Sequence, residues 1–142
     1  MSKSSANLLT VSLEYPEHLV NPRNNMADFI YEDSFIEEWV ECGLSVDNDL
    51  WLLESFLTTF PETGRVIQGT GGLRKVRWSL PQGGKRGGVR IIYQWIPEIF
   101  IFYVYIVYRK SEKDDLQSAV RAELKTLAEE NRSRLLTVYG HD

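Results

Sequence analysis

A single cysteine, Cys42, and two histidines, His18 and His141, set the first limits on this chain of 142 residues. One thiol cannot close an internal disulfide or supply a cysteine-based zinc cage. A nucleophilic thiol would need a base beside it, and both histidines lie in peripheral segments, so Cys42 reads as a packed or idle thiol in a reducing, cytoplasmic setting. Two distant histidines also make poor metal ligands, and neither a metal nor any other cofactor is expected. Long apolar runs are equally scarce. The stretch Ile99 to Tyr108 is strongly apolar but ten residues long, against the roughly 20 that a membrane helix needs. The N-terminal region is interrupted by Ser12, Glu14, Pro16 and His18, which excludes a signal-peptide core. No membrane association is expected. Phosphate-cradling loops are missing too: Gly69-Thr70-Gly71-Gly72 leads into a strand where a nucleotide-binding loop would open a helix, and no G-x-x-x-x-G-K-[ST] occurs.

What is present is charge, unevenly placed. The net charge is −4, which alone argues against a nucleic-acid binder. Yet residues 1–64 hold two basic and twelve acidic side chains, whereas residues 65–97 hold seven basic and none acidic. An electropositive segment inside an acidic protein is a localised site, not a general property of the surface.

Residues 1–25 carry no sustained period and read as an N-terminal extension or a start-site artefact. Residues 26–142 read as one domain. Within it, Asp28 to Tyr31 predicts a short strand. Ser34 and Glu37 form an S-x-x-E capping box before a helix bearing Phe35, Ile36, Trp39 and Val40 and stopped by Gly43. A second helix, capped by Asp47 or Asn48, carries Leu50, Leu53, Phe56, Leu57 and Phe60 on one face and ends before Pro61. From Gly64 onward β-branched and aromatic residues punctuated by glycines predict strands over Leu73–Ser79, Val89–Ile96 and Ile99–Tyr108, with a short piece at Val66 and Ile67 and a flexible loop from Pro81 to Gly88. Asp115 caps a last helix with Leu116, Val120, Leu124 and Leu127 in a stripe. The order implies an α+β fold: an antiparallel sheet of three to five strands covered by an N-terminal helical hairpin and a C-terminal helix.

The chemistry concentrates on Leu73-Arg74-Lys75-Val76-Arg77-Trp78. Alternation sends Lys75 and Arg77, about 7 Å apart, to one face and Arg74, Val76 and Trp78 to the other. Pairing with Val89–Ile96 would add Arg90, while Lys85 and Arg86 sit on the loop between the strands. Such a group can surround a phosphodiester. Ribonucleolytic cleavage by the ribose 2′-hydroxyl builds negative charge on phosphoryl oxygens, which fixed arginines and lysines stabilise. A lysine crowded by other cations can serve as the base. A solvated outer face accounts for basic residues on a strand equally well at this point.

Three blocks then carry a resemblance: Gly69 to Trp78 (GTGGLRKVRW), Gly84 to Tyr93 (GKRGGVRIIY) and Tyr108 to Leu116 (YRKSEKDDL). In this order and at these separations, spanning roughly Asp28 to Glu130, they resemble the HigB branch of the RelE/HigB toxins of type II toxin–antitoxin systems. The resemblance implies a microbial-RNase-like α+β fold. It also implies an endoribonuclease, or mRNA interferase, that cuts translated messenger RNA in the ribosomal decoding site and inhibits translation. A helix-turn-helix antitoxin of the HigA type would be its partner. Carried over by position, Lys75 is the expected base, Arg77 and Arg90 stabilise the pentavalent phosphate, and Lys110 contacts the leaving group or phosphate. Arg74, Lys85, Arg86 and Arg109 are expected to bind RNA. The family's substrate-orienting tyrosine near the last helix aligns with Leu116 here. Tyr93 and Tyr108 are candidates to replace it, and each is equally suited to be a packed sheet residue.

Two other functions are compatible with the same sequence. Relatives of this fold inhibit DNA gyrase without cutting nucleic acid, and an inactive relic would bind only its antitoxin.

Overall fold

The computed structural model describes residues 26–79, 88–110 and 116–140. Residues 1–25, Lys85, Arg86 and the rest of the expected loop before Gly88, the expected cap Asp115 and both histidines lie outside the described residues.

Strand β1 (Asp28–Tyr31) leads into helix α1 (Phe35–Glu41), which buries Phe35 and Trp39. The expected capping box does not form. Ser34 has helical backbone angles and its side chain caps nothing, while the Phe35 amide bonds the Glu32 carbonyl at 2.9 Å. A cap residue must be extended to turn its oxygen back onto the first free amides, and Ser34 is not.

Helix α2 opens with a wide π-turn, Val46–Leu50, and continues as an α-helix over Trp51–Thr59. Its cap is Ser45, not Asp47 or Asn48. The Ser45 Oγ accepts from the Asn48 amide at 3.0 Å, and the Asp49 carboxylate accepts from the Ser45 amide at 2.6 Å. This reciprocal pair satisfies two amides that a helix start leaves open. The widened first turn brings the position-four residue Asp49, and not the one before it, back to the cap.

Four further strands follow: β2 (Arg65–Val66), β3 (Arg74–Trp78), β4 (Val89–Ile96) and β5 (Ile101–Arg109). The sheet order is β1-β5-β4-β3-β2. Pairing is antiparallel from β2 to β5, but β1 lies parallel to β5, Asp28 opposite Ile101 and Tyr31 opposite Val104. The sheet is thus mixed where an antiparallel one was expected. The chain leaves β1 through the helical hairpin and returns to the sheet at its far side, and so long a crossover permits parallel pairing.

Helix α3 (Ser118–Tyr139) completes the fold. The sheet separates two cores. On one face, α1 and α2 pack Phe35, Trp39, Leu53 and Leu57 against Val76, Ile91, Tyr93, Phe102 and Val104. On the other, Leu124, Ala128 and Leu135 of α3 meet Leu73, Ile92, Ile96, Tyr103 and Tyr105. Double coverage explains why β5 is apolar on both alternations. A bulge in the β4–β5 ladder, between Ile92 and Tyr93, leaves Tyr105 without a directly opposed partner. Its hydroxyl donates to Gln94 Oε1 at 2.7 Å and accepts from Asn131 Nδ2 at 3.0 Å, and Gln94 Nε2 reaches the Ala128 carbonyl at 3.0 Å. This buried polar chain fastens α3 to the sheet. No helix among the described residues is long and apolar enough to cross a membrane.

Candidate functional site

The register of β3, β4 and β5 decides which basic residues meet. Arg77 stands opposite Arg90, and Arg90 opposite Tyr108. Directly opposed residues of antiparallel strands share a face, with Cα atoms roughly 5 Å apart. One row across the sheet therefore reads Arg77, Arg90, Tyr108. The next row reads Arg65, Lys75, Ile92, Ile106. Alternation along β3 places both rows on the α3 side, because Leu73 and Ile92 belong to that core.

Within the first row exposure falls from strand to strand. Arg77 is exposed, Arg90 is 8% exposed and Tyr108 is 3% exposed. The buried Arg90 guanidinium turns onto the Val89 carbonyl at 3.4 Å. Lys75 is half-buried. Lys110 lies one residue past β5, exposed, its amide 3.5 Å from the Gly88 carbonyl. The ladder register thus brings the ends of β3, β4 and β5 together beside Arg77, Arg90 and Lys110.

Gly88 makes the return into β4 possible. Its φ is +64°, a left-handed conformation that glycine adopts without steric cost. A Cβ there would stand 2.2 Å from the Trp78 carbonyl oxygen.

Arg74 and Arg109 do not join the rows. The Arg74 guanidinium donates to the carbonyls of Glu62 at 3.0 Å and Gly64 at 2.8 Å, and Arg109 donates to the Cys42 carbonyl at 3.1 Å. Both point to the helical-hairpin side and hold loops in place. Tyr93 is on that side as well. Its hydroxyl accepts from the Gly64 amide at 3.0 Å and donates to the Pro61 carbonyl at 2.8 Å. Burial raises the Tyr93 pKa, partly opposed by the Gly64 amide. Of the two tyrosines considered, only Tyr108 shares the face and the row of Arg90.

Arg65 was missed by sequence reasoning. It stands opposite Lys75 on the edge strand and is exposed. The signal was the short apolar piece around Val66, whose pairing partner could not be read without the register. Leu116 is buried in the α3-side core with Tyr108 and packs there. Arg121 holds the Leu116 carbonyl through Nε at 3.0 Å and Nη2 at 2.9 Å, which fixes the entry to α3 next to the cationic rows. No group of three or more histidine, cysteine, aspartate or glutamate residues is placed to hold a metal among the described residues.

No family model matches the chain. Among solved structures, the chain is similar to a double arginine-to-alanine mutant of the E. coli toxin RelE in the free state. The two are 17% identical, the match covers 69% of this chain and 95% of that one, and the TM-score is 0.48.

Proposed function

We propose that the protein is the toxin of a toxin–antitoxin pair and an endoribonuclease that cuts translated messenger RNA, with its scissile phosphate bound over the row Arg77, Arg90, Tyr108. The observation that carries this reading is the register of three strands. It sets two arginines side by side on one face, with Lys75 in the adjacent row. A solvated outer face would not bury a guanidinium to the extent of Arg90. The resemblance of three sequence blocks to HigB-type toxins supports the same reading.

In the proposed reaction the ribose 2′-oxygen attacks the adjacent phosphorus as Lys75, acting as base, takes the 2′ proton. The bond to the 5′-oxygen of the next nucleotide breaks, and that oxygen receives a proton, with Lys110 as donor. The products are a 2′,3′-cyclic phosphate and a 5′-hydroxyl. Arg77 and Arg90 hold the phosphoryl oxygens where charge grows, and arginine suits this because its planar fork matches two oxygens at once. Tyr108 is a positioning residue, packed beside Arg90 and not exposed to substrate. Arg65 adds charge from the edge strand. The partner is an antitoxin of the helix-turn-helix type, and ribosomes present the messenger.

The test is to incubate purified protein with messenger RNA, with and without ribosomes, and to identify the new ends. Cyclic-phosphate and 5′-hydroxyl termini within codons are expected. Intact RNA under both conditions, with gyrase inhibition in a supercoiling assay, would replace this reading with the non-catalytic one.

A further inference from the structure

The electropositive face continues beyond the two rows. Following β3 back from Arg77 through Lys75 and Leu73, the chain reaches the turn Gly69–Gly72, which lies against α3. An open groove runs between this turn and the helix, lined by Gln68, Gly69, Ser118, Arg121, Lys125 and Glu129. Lys125 leans over the turn, its Cγ 3.5 Å from where a Gly71 Cβ would stand. Lys125 is exposed and makes no ion pair or hydrogen bond among the described residues. Arg121, one helical turn earlier, uses its guanidinium on the Leu116 carbonyl and also lines the groove.

The turn itself is polar and open. Gly69, Gly71 and Gly72 all have positive φ, and nothing lies within 4 Å of a Cβ at Gly69 or Gly72. The Gly69 and Gly71 amides donate to no acceptor among the described residues, while the Gly72 amide closes the turn. The Thr70 hydroxyl braces the turn from inside, donating to the Ile67 carbonyl at 2.7 Å and accepting from the Leu73 amide at 3.2 Å. A braced turn with two unused amides beside a lysine is suited to an anionic oxygen. Four residues separate Lys75 from Gly71, at most about 13 Å at a strand's rise, a distance that a short piece of single strand spans.

We propose that this groove is a second phosphate subsite, in which Lys125 and the Gly69 and Gly71 amides hold the backbone of single-stranded RNA a short way along the strand from the bond that is cut. The inference rests on the reading of the Arg77–Arg90 row as the RNA-cleaving site and extends it. Contacts of this kind position the strand and carry no base preference. They fix which phosphate lies over Arg90, so the groove sets the register of cleavage.

The experiment measures binding of uncleavable 2′-O-methyl RNA, as a labelled dinucleotide and as a labelled hexanucleotide, across a range of salt. For Lys125→Gln, hexanucleotide affinity is expected to fall several-fold and the slope of log affinity against log salt to flatten by about 0.7, as one lost phosphate contact on a single strand requires. Dinucleotide affinity is expected to stay as in the wild type. Arg77→Ala should weaken both probes. If Arg77→Ala weakens both and Lys125→Gln changes neither, the groove is overturned and the row stands. If neither variant changes binding, the reading of the row has failed. Equal losses on both probes for Lys125→Gln would place Lys125 at the scissile phosphate and overturn a separate subsite.

Discussion

Arg74, Lys75 and Arg77 lie within four residues of one another, yet the pleat gives them different work. Arg74 donates to two carbonyls that close the segment after α2, while Arg77 projects from the opposite face toward solvent. Arg74→Ala is therefore expected to lower unfolding stability by about 1–3 kcal/mol, through two lost hydrogen bonds and exposed carbonyls, while RNA cleavage by the folded fraction persists. Arg77→Ala is expected to leave stability within about 0.5 kcal/mol, as surface changes usually do, and to cut RNA cleavage. Denaturant titration and a cleavage assay on the same preparations separate the two. Alternation alone allowed the split between Arg74 and the Lys75–Arg77 pair to be read from sequence. It did not show that Arg109 is held by the Cys42 carbonyl, because that contact joins a strand end to a helix end 67 residues away. For the same reason the choice between Tyr93 and Tyr108 waited on knowing which core each strand face meets.

At the scale of the element, the geometry of the site depends on the β3–β4 return and on the seat of α3. Gly88→Ala would force a side chain into a left-handed backbone position and against the Trp78 carbonyl at 2.2 Å. A loss of about 1–3 kcal/mol from the backbone alone is expected, with more from the clash. Cleavage activity should fall with it, because Gly88 leads directly into the pair Val89 and Arg90 that stands opposite Trp78 and Arg77. Tyr105→Phe tests the seat of α3. It removes the hydroxyl that links Gln94 to Asn131 and should cost about 1–3 kcal/mol through the polar groups left buried. Hydrogen exchange of the α3 amides is expected to accelerate more than that of β4. The strands were legible because alternation and glycine punctuation mark them strongly: Val89–Ile96 matches its expected limits, and β3 differs by a residue at each end. The helix starts were less so. Ser34 has the right spacing and the wrong backbone, whereas Ser45 caps through a π-turn that no spacing rule anticipates.

Over the whole molecule, the sheet is a partition with two cores, and tyrosines are buried on both sides. Burial and the adjacent Glu54 carboxylate hold the Tyr31 phenol well above its ordinary value. Burial and the Glu32 carboxylate do the same for Tyr103, and burial pushes Tyr105 up to about 12 against the opposing Asn131 hydrogen bond. A phenol whose folded pKa is raised contributes stability that is fully present below the unfolded value, near 10, and is lost as pH rises through the folded one. Unfolding free energy is therefore expected to decline from about pH 10 upward, with a smaller decline in Tyr105→Phe. A flat stability profile over that range would contradict the burial of these phenols. The α+β class and the two-sided burial of β5 were legible from composition and pattern. The parallel placement of β1 was not, since nothing local to Asp28–Tyr31 specifies the direction of a partner strand met more than 70 residues later.

The most direct test of the central claim is to map messenger RNA 5′ ends in bacteria after induced expression of the wild type, Arg77→Ala, Arg90→Ala and Arg74→Ala. The arginine row predicts new ends inside translated codons for the wild type and for Arg74→Ala. It predicts a loss of roughly 100-fold or more for Arg77→Ala and Arg90→Ala, as when one stabilising donor is removed from a charged transition state. Undiminished cleavage by both row variants, or growth arrest with transcripts left whole, would contradict it.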